Sequence, residues 1–291
     1  MANAINLVTK YQPIVDEVYK AATLTGDLES GAVQFDGSKT VKILKVTVPD
    51  LGNYSRSSGF TAGDVTADWE SWTLNQDRGK EFSIDAMDNE ETLDQTFGAA
   101  SSAFIKQKVV PEVDAYRFAT LASKSGVSSV ATTLSASNIV ETIDNAEAKL
   151  SEDEVPVDGR ILYITPTAYQ MLKAALATKA GLSRIVGASV DQNFETFDGM
   201  KVVQVPQSRF ATGITVNANG YTLTGNKINF MIVHPSAVEA VAKHVKLRIF
   251  TPDINQDMDA YKFQYRIYHD AFVYDNKVAG VYVSKGAAVS E

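Results

Sequence analysis

Three histidines, His234, His244 and His269, are the only imidazoles in this chain, and no two of them stand at the spacing of a helical metal pair. His269 lies between Tyr268 and Asp270, and a carboxylate beside an imidazole is one half of an acid-base device. The surrounding residues alternate, with Tyr261, Phe263, Tyr265, Ile267 and His269 on one parity and Lys262, Gln264, Arg266 and Tyr268 on the other. That is the period of a strand, and it predicts a histidine used in side-chain hydrogen bonding, not catalysis. Asp253-Ile-Asn-Gln-Asp-Met-Asp259 imitates the opening of a calcium loop. However, Met258 occupies the glycine position of the turn and Gln264 stands where a bidentate glutamate should close the site. Glu152-Asp153-Glu154 reads as a solvated cluster beyond a helix end. Gly225-Asn-Lys227 lacks the upstream glycine and the downstream hydroxyl of a phosphate loop, and no Gly-x-Ser-x-Gly spacing occurs. With no cysteine, a thiolate nucleophile, a zinc-thiolate site and a disulfide framework are all excluded. The expectation is a chain with no catalytic residue, no bound metal and no cofactor.

Composition narrows the alternatives. The chain has 291 residues, of which 45% are hydrophobic, enough for one large domain or two modest ones with a substantial core. Its 27 Lys and Arg against 35 Asp and Glu give a net charge of -8, unsuited to wrapping or reading a phosphate backbone. Lys106 with Lys108, and Lys243 with Lys246 and Arg248, read as solvated faces of regular structure. No apolar run is long enough to span a bilayer. Residues 1–10 have neither a basic start nor an apolar export stretch, which predicts a protein acting in the compartment where it is made.

The elements follow from periodicity. Residues 13–22 form a candidate helix with a narrow apolar stripe, Ile14, Val15, Val18 and Tyr19, followed by a polar run at 23–37; such an arm needs a partner surface. Residues 40–48 predict a strand about 25 Å long, ended by Pro49. Residues 50–68, rich in Gly, Ser, Asn and Asp, read as a flexible tip carrying Tyr54 and Arg56. A second strand begins near Trp69, with Trp72, Leu74, Phe82 and Ile84 on one parity. Two strands joined by so long a tip make a hairpin that cannot bury itself, so a neighbouring molecule is expected to cover its apolar residues. Asp88 or Asn89 caps a helix that runs to about Lys124, kinked at Pro111 and closed by Gly126. A helix opened by Asn138 runs to Leu150, and Arg160–Ile164 is a strand. Thr165 and Pro166 then open another helix, through Leu176. Strands at 201–205 and 227–233, a short helix at 235–243, and a tyrosine-rich hairpin over 261–282 turning at Asp275-Asn276-Lys277 complete the chain.

The wording of that last segment, with Arg266, Tyr268-His269-Asp270 and Asp275-Asn276-Lys277 in order, resembles the C-terminal end of major capsid proteins of tailed bacteriophages. Arg160-Ile-Leu-Tyr-Ile-Thr-Pro-Thr-Ala-Tyr169 and Lys201-Val-Val-Gln-Val-Pro-Gln-Ser-Arg-Phe210 resemble the same family, as does the order of elements along nearly the whole chain. The resemblance implies an α+β tailed-phage major capsid fold with an N-terminal arm at 1–35 and an extended β-hairpin loop at 36–85. It further implies a peripheral domain with a long spine helix from 86–134 and 245–291, and an α/β axial domain at 135–244. It implies a structural subunit assembling into hexamers and pentamers of an icosahedral head. That head would enclose double-stranded DNA without sequence-specific binding and be assembled in the host cytoplasm, with no membrane partner. No long heptad segment precedes the arm, so a separate scaffolding protein is implied, together with a portal protein. Encapsulin shells share the fold and are the alternative, ahead of a soluble α/β enzyme. The expected intersubunit contacts are Trp69, Trp72, Leu74, Phe82, Tyr54 and Arg56.

Overall fold

The computed structural model describes residues 23–29, 35–36, 40–91, 95–179 and 195–289. The helix expected at 13–22 lies outside them. Strands β1 (Phe35–Asp36), β2 (Thr40–Thr47) and β3 (Thr66–Thr73) form an antiparallel sheet, with Val41 opposite Trp72 and Thr47 opposite Thr66 in unbroken register. The expected hairpin is therefore present, but its second strand stops at Thr73. β4 (Gln76–Asp85) is a separate strand in another sheet, so the shared parity of Trp72, Leu74, Phe82 and Ile84 does not make one face of a single ribbon.

Helices α1 (Ala86–Glu91), α2 (Gln95–Phe104) and α3 (Val110–Ser123) occupy the expected long helical region, with a π turn over Ile105–Val109. The Val110 N–H reaches Ile105 O across that turn. Pro111 has no N–H for the preceding turn, and a wider turn at this point accommodates the missing donor. Past the helix, Gly126 takes φ +90°, a backbone angle that glycine tolerates at no steric cost.

β5 (Ser128–Ala131), α4 (Ile139–Glu152), β6 (Ile161–Ile164), α5 (Pro166–Lys179), β7 (Thr196–Phe197) and β8 (Met200–Gln204) follow in the expected alternation. Thr165 accepts a hydrogen bond from the Ala168 N–H and caps α5 as expected. Asn138 does not cap α4; its Oδ1 accepts from Ser135 N–H instead. β9 (Ala211–Asn217) and β10 (Gly220–Val233) form a hairpin absent from the sequence reading.

The last three strands correct two expectations. Residues 235–243 make only a short 3-10 turn, Pro235–Ala237, before β11 (Val238–Phe250) begins. β11 pairs along its length with β12 (Ala260–Val273), and that tertiary pairing overrides the helical preference of its alanines. Nor do residues 261–282 form one hairpin. β12 lies between β11 and β4, whereas β13 (Val281–Ala288) lies between β10 and β5 in a different sheet. The 3-10 stretch Asp275–Gly280 carries the chain across, held where Lys124 pairs with Asp275 at 2.7 Å. Turn chemistry is common to both outcomes; Val281 and Val283 face one core while Tyr282 faces another, and only a sheet covered on both sides buries all three.

The central sheet has the order β5-β13-β10-β6-β8-β7, with β9 attached to β10. One face, including Tyr163, Met231 and Val283, packs against Phe118 and Leu121 of α3; the other, including Leu162, Phe230 and Ile232, packs against α4 and α5. Arg160, fully buried at the entry to β6, gives its guanidinium N–H groups to Pro156 O at 2.9 Å and Val155 O at 2.7 Å, satisfying carbonyls of the incoming loop. The polar run 23–29 is not loose. Thr25 and Leu28 are buried, and Asp114 of α3 accepts from the Thr25 hydroxyl at 2.8 Å and the Leu24 N–H at 3.2 Å. Arg117 donates to Thr25 and pairs with Glu29.

The smaller sheet, β11-β12-β4, is covered by the helical region on one face and by the ribbon base at one end of the other, where the rest of that face presents exposed Asp77, Lys246, Arg248 and Arg266. Ile105, Val109 and Val113 pack on Phe263, Tyr265 and Ile267. On the opposite face Trp72 stacks on Phe272 at 4.7 Å, beside Tyr274, Val41, Leu74 and Val241. Phe82 stacks on Phe263 at 4.6 Å. Trp72, Leu74 and Phe82 are thus covered by their own chain, which corrects the expectation that only a neighbour could remove them from water. Replacing Trp72 by Ala is expected to destabilise the isolated subunit by about 3 kcal/mol in chemical denaturation, the cost of emptying a packed aromatic site. Trp69→Ala, at an exposed site, is expected to stay within about 0.5 kcal/mol of the parent.

His269 is 1% exposed and meets the Tyr116 ring edge-on at 5.5 Å. Burial, reinforced by the charges of Arg117 and Arg78, pushes its pKa down to about 3, so the ring is neutral in the folded chain. The unfolded chain takes up that proton below about pH 6.5 and the folded chain does not, so this site removes stability as pH falls from 6.5 towards 3. Asp114 and Asp270, whose carboxyl pKa values burial raises, act with the opposite sign over the acid range. Comparison of the parent with His269→Gln isolates the imidazole: between pH 6 and 4.5 the parent should lose about 1.4 kcal/mol per pH unit more than the variant. Parallel stability curves for the two proteins would show that His269 does not titrate on unfolding.

Candidate assembly surface

The side chains that might have done chemistry are absorbed into structure. Asp270 accepts from the Tyr116 hydroxyl at 3.0 Å, the Asn75 N–H at 2.9 Å and its own neighbour's Ala271 N–H at 2.8 Å. It therefore locks the corner between β3 and β4 to the middle of β12 and to α3. Burial and the neighbouring Asp270 charge raise the Tyr116 hydroxyl to about 12, keeping it a proton-bearing donor. His234 accepts from the Ser236 N–H through Nδ1 at 3.2 Å and caps the 3-10 turn. Within 253–259 the Asn255 amide donates to Ala260 O at 2.9 Å, and Asp257 pairs with Lys262, which lowers the pKa of the Asp257 carboxyl. Asp153 pairs with Lys149 one helical turn back. Among the described residues no group of three or more His, Asp or Glu is arranged to hold a metal ion.

Among the described residues, nothing covers the outer part of the β2-β3 ribbon. Its base is anchored by Val41 and Trp72. Further out, Leu44 lies opposite Trp69 and Val46 opposite Ala67, so these four share one face. Leu44 is 49% exposed, Val46 48% and Trp69 63%. Val48, Leu51, Tyr54, Phe60 and Val65 continue the apolar surface onto the tip, all exposed. On the reverse face Ile43 lies opposite Glu70 and Lys45 opposite Asp68, giving it a mixed charged character. The tip has local order of its own: Ser55 and Gly59 exchange backbone hydrogen bonds at 3.0 and 2.7 Å, and Tyr54 meets Phe60 edge-on at 5.0 Å.

Of the six expected contact residues, Trp69, Tyr54 and Arg56 lie on this exposed ribbon and tip, Trp72 and Leu74 are buried, and Phe82 is half-buried against Phe263. Leu44, Val46, Val48, Leu51, Phe60 and Val65 were missed. The signal for the first three was present in Val41-Lys-Ile-Leu-Lys-Val-Thr-Val48, where apolar residues occur on both parities and a lone ribbon can bury only one of them.

No protein-family model matches the sequence, and no curated protein matches it. Solved structures do match. A chain of the Cyanophage P-SCSP1u capsid is 13% identical, with a TM-score of 0.63 over 92% of this chain and 89% of that one. A chain of the mature capsid of bacteriophage PhiM1 is 11% identical, with a TM-score of 0.63 over 88% and 84%. The virus-like particle from Pyrococcus furiosus is 13% identical, with a TM-score of 0.61 over 96% and 99%. At such identities the likeness is one of fold, and it extends over nearly the whole of each chain: this protein has the phage major capsid fold.

Proposed function

We propose that this chain is the structural subunit of a tailed-phage head, self-assembling into hexamers and pentamers of an icosahedral shell that encloses double-stranded DNA. The observation that carries the proposal is the uncovered apolar face of the β2-β3 ribbon: where the smaller sheet is open to water it presents charged residues such as Asp77, Lys246, Arg248 and Arg266, whereas the ribbon presents Leu44, Val46 and Trp69. About 25 cal/mol for each Å² of apolar surface removed from water favours a neighbour against that face, and the contact recurs in every copy of a closed shell. The division into an arm at 1–35, a loop at 36–85, a peripheral domain at 86–134 with 245–291, and an axial domain at 135–244 belongs to the same proposal. β4 and β13 would tie the loop and the chain end into the neighbouring sheets. Scaffolding and portal proteins are the proposed partners, the host cytoplasm the place of assembly, and the virion the final location.

Electron microscopy of the purified chain, alone and with the scaffolding protein of the same genome, tests the reading: closed shells or ring-shaped capsomers are expected. A strict monomer under both conditions would overturn it. Particles recovered from producing cells should hold nuclease-protected DNA, whereas particles holding protein and no DNA would point to an encapsulin-like compartment. Replacing Leu44 by Lys and Trp69 by Glu, an oppositely charged cross-strand pair at two largely exposed sites, should leave the subunit folded, with a stability within about 1 kcal/mol of the parent, and should sharply reduce the yield of closed particles.

The tip is expected to be the first site of limited proteolysis in free subunits, because its exposed Gly- and Ser-rich backbone is held by few long-range contacts. Cleavage within 48–65 should slow markedly once particles form. Equal cleavage of free and assembled material would show that the tip makes no intersubunit contact.

A further inference from the structure

A cleft of about 550 Å³ lies where three elements meet: the helix-facing side of β4 and β12, the π turn before α3, and the tip of the β9-β10 hairpin. Arg78 holds its walls together. The guanidinium Nε of this β4 residue pairs with Glu112 of α3 at 2.5 Å, and its Nη2 donates to Asn217 O, at the end of β9, at 2.8 Å. One side chain thus fixes strand, helix and hairpin relative to one another, and the space between them is preorganised. The π turn forms part of the wall, and such turns recur at functional sites because they displace side chains from the regular helical positions.

The lining has a distinct chemistry. Phe104 and Tyr265 give it an aromatic side, and buried His269 adds an imidazole whose Nδ1 has no hydrogen-bond partner among the described residues. Lys80 and Lys108, both exposed, line the same cleft, and neither has an ion-pair partner among the described residues. The Glu112 carboxylate is already engaged by Arg78, so the unbalanced charge of the lining is positive in a chain whose net charge is -8. Its volume lies within the range of about 300–1,000 Å³ typical of small-molecule sites.

We propose that this cleft binds a small organic anion, a phosphate or carboxylate head on a flat apolar body. The head sits between Lys80 and Lys108 and the body lies against Phe104 and Tyr265. A charged head satisfies both lysines, and aromatic walls favour a planar group over a flexible chain.

Calorimetric titration of the full-length protein with phenyl phosphate, benzoate, inorganic phosphate and benzylammonium tests the proposal. Phenyl phosphate or benzoate should bind saturably, and whichever of the two binds more tightly identifies the head group. Inorganic phosphate should bind at least about tenfold more weakly, since it lacks the apolar body, and the cation should not bind. Lys80→Gln with Lys108→Gln should weaken binding about tenfold or more without changing the melting temperature, because both side chains are in solvent. Ala218→Trp, at the exposed hairpin tip, should block the cleft with no change of charge. Loss of binding in the lysine variant but not in Ala218→Trp would show surface attraction alone and overturn the proposal. So would equal affinity for phenyl phosphate and inorganic phosphate, or no binding of either aromatic anion.

Discussion

A two-stranded ribbon has two faces, and the described residues of this chain supply a covering layer only at its base. There Trp72 is held between the strand pair and Phe272, with Tyr274 at 4.9 Å, and the ribbon joins the folded body as a packed unit. Beyond Ile43 no element of the described chain lies over it. The consequence is a subunit in which stability and association are separated in space. Residues that hold the fold together are at the root of the ribbon, and residues available to another molecule are beyond it. A ribbon of this kind in a monomeric protein would be a standing hazard for aggregation, since exposed strands with apolar faces template pairing. Lys45 and Asp68 on the reverse face, together with a tip rich in Gly and Ser, direct that tendency to one face.

The same economy governs the polar interior. Asp270 is surrounded by donors from three elements, so its burial cost is offset by hydrogen bonds and not by a counter-charge. Asp114 is met by Thr25, the Leu24 N–H and Arg209, and desolvation still outweighs these in raising its pKa. Both carboxylates touch α3 or extend from it, and this helix packs on two sheets: Val113 on the smaller and Phe118 on the larger. A helix common to two cores transmits any displacement of one to the other, because close-packed interiors have little room to absorb strain. The buried network fixes the register of that helix against residues 23–29 and against the corner where the ribbon leaves.

Much of the middle of the chain was legible because its local and tertiary signals agree. Thr165 and Pro166 open a helix by capping and by ring geometry, and Arg160–Ile164 leads into a strand that tertiary packing buries on both faces. Legibility failed where a local pattern had two outcomes. Asp275-Asn276-Lys277 suits a hairpin turn and a 3-10 crossing equally, and which one forms is decided by β10, more than forty residues upstream. Val238 to Lys243 contains Glu239, Ala240, Ala242 and Lys243, all good helix formers, yet β12 offers a longer pairing. The β9-β10 hairpin could have been found from Asn219-Gly220, since Gly220 takes φ +130° in the turn. For the assembly surface, parity alone identified apolar residues without saying which of them the body would cover. Trp72 and Trp69 differ by three positions and therefore lie on opposite faces, and only the location of Phe272 decides which is core.

On the proposed function, that distinction bears on how the subunit would be stable before assembly. If Trp72 had required a neighbour, the ribbon root would unfold whenever the subunit was free, and Asn75 would lose the geometry that presents its N–H to Asp270. With Trp72 satisfied internally, the corner is locked in the free chain and the direction in which the ribbon leaves the body is set in advance. Association then orders only the outer ribbon and tip, a smaller entropic cost than folding the whole hairpin on contact. On the proposed function, a modest apolar face such as Leu44, Val46 and Trp69 would suffice for each contact, and contacts weak enough to break individually would let a misplaced subunit leave a growing shell before it is enclosed.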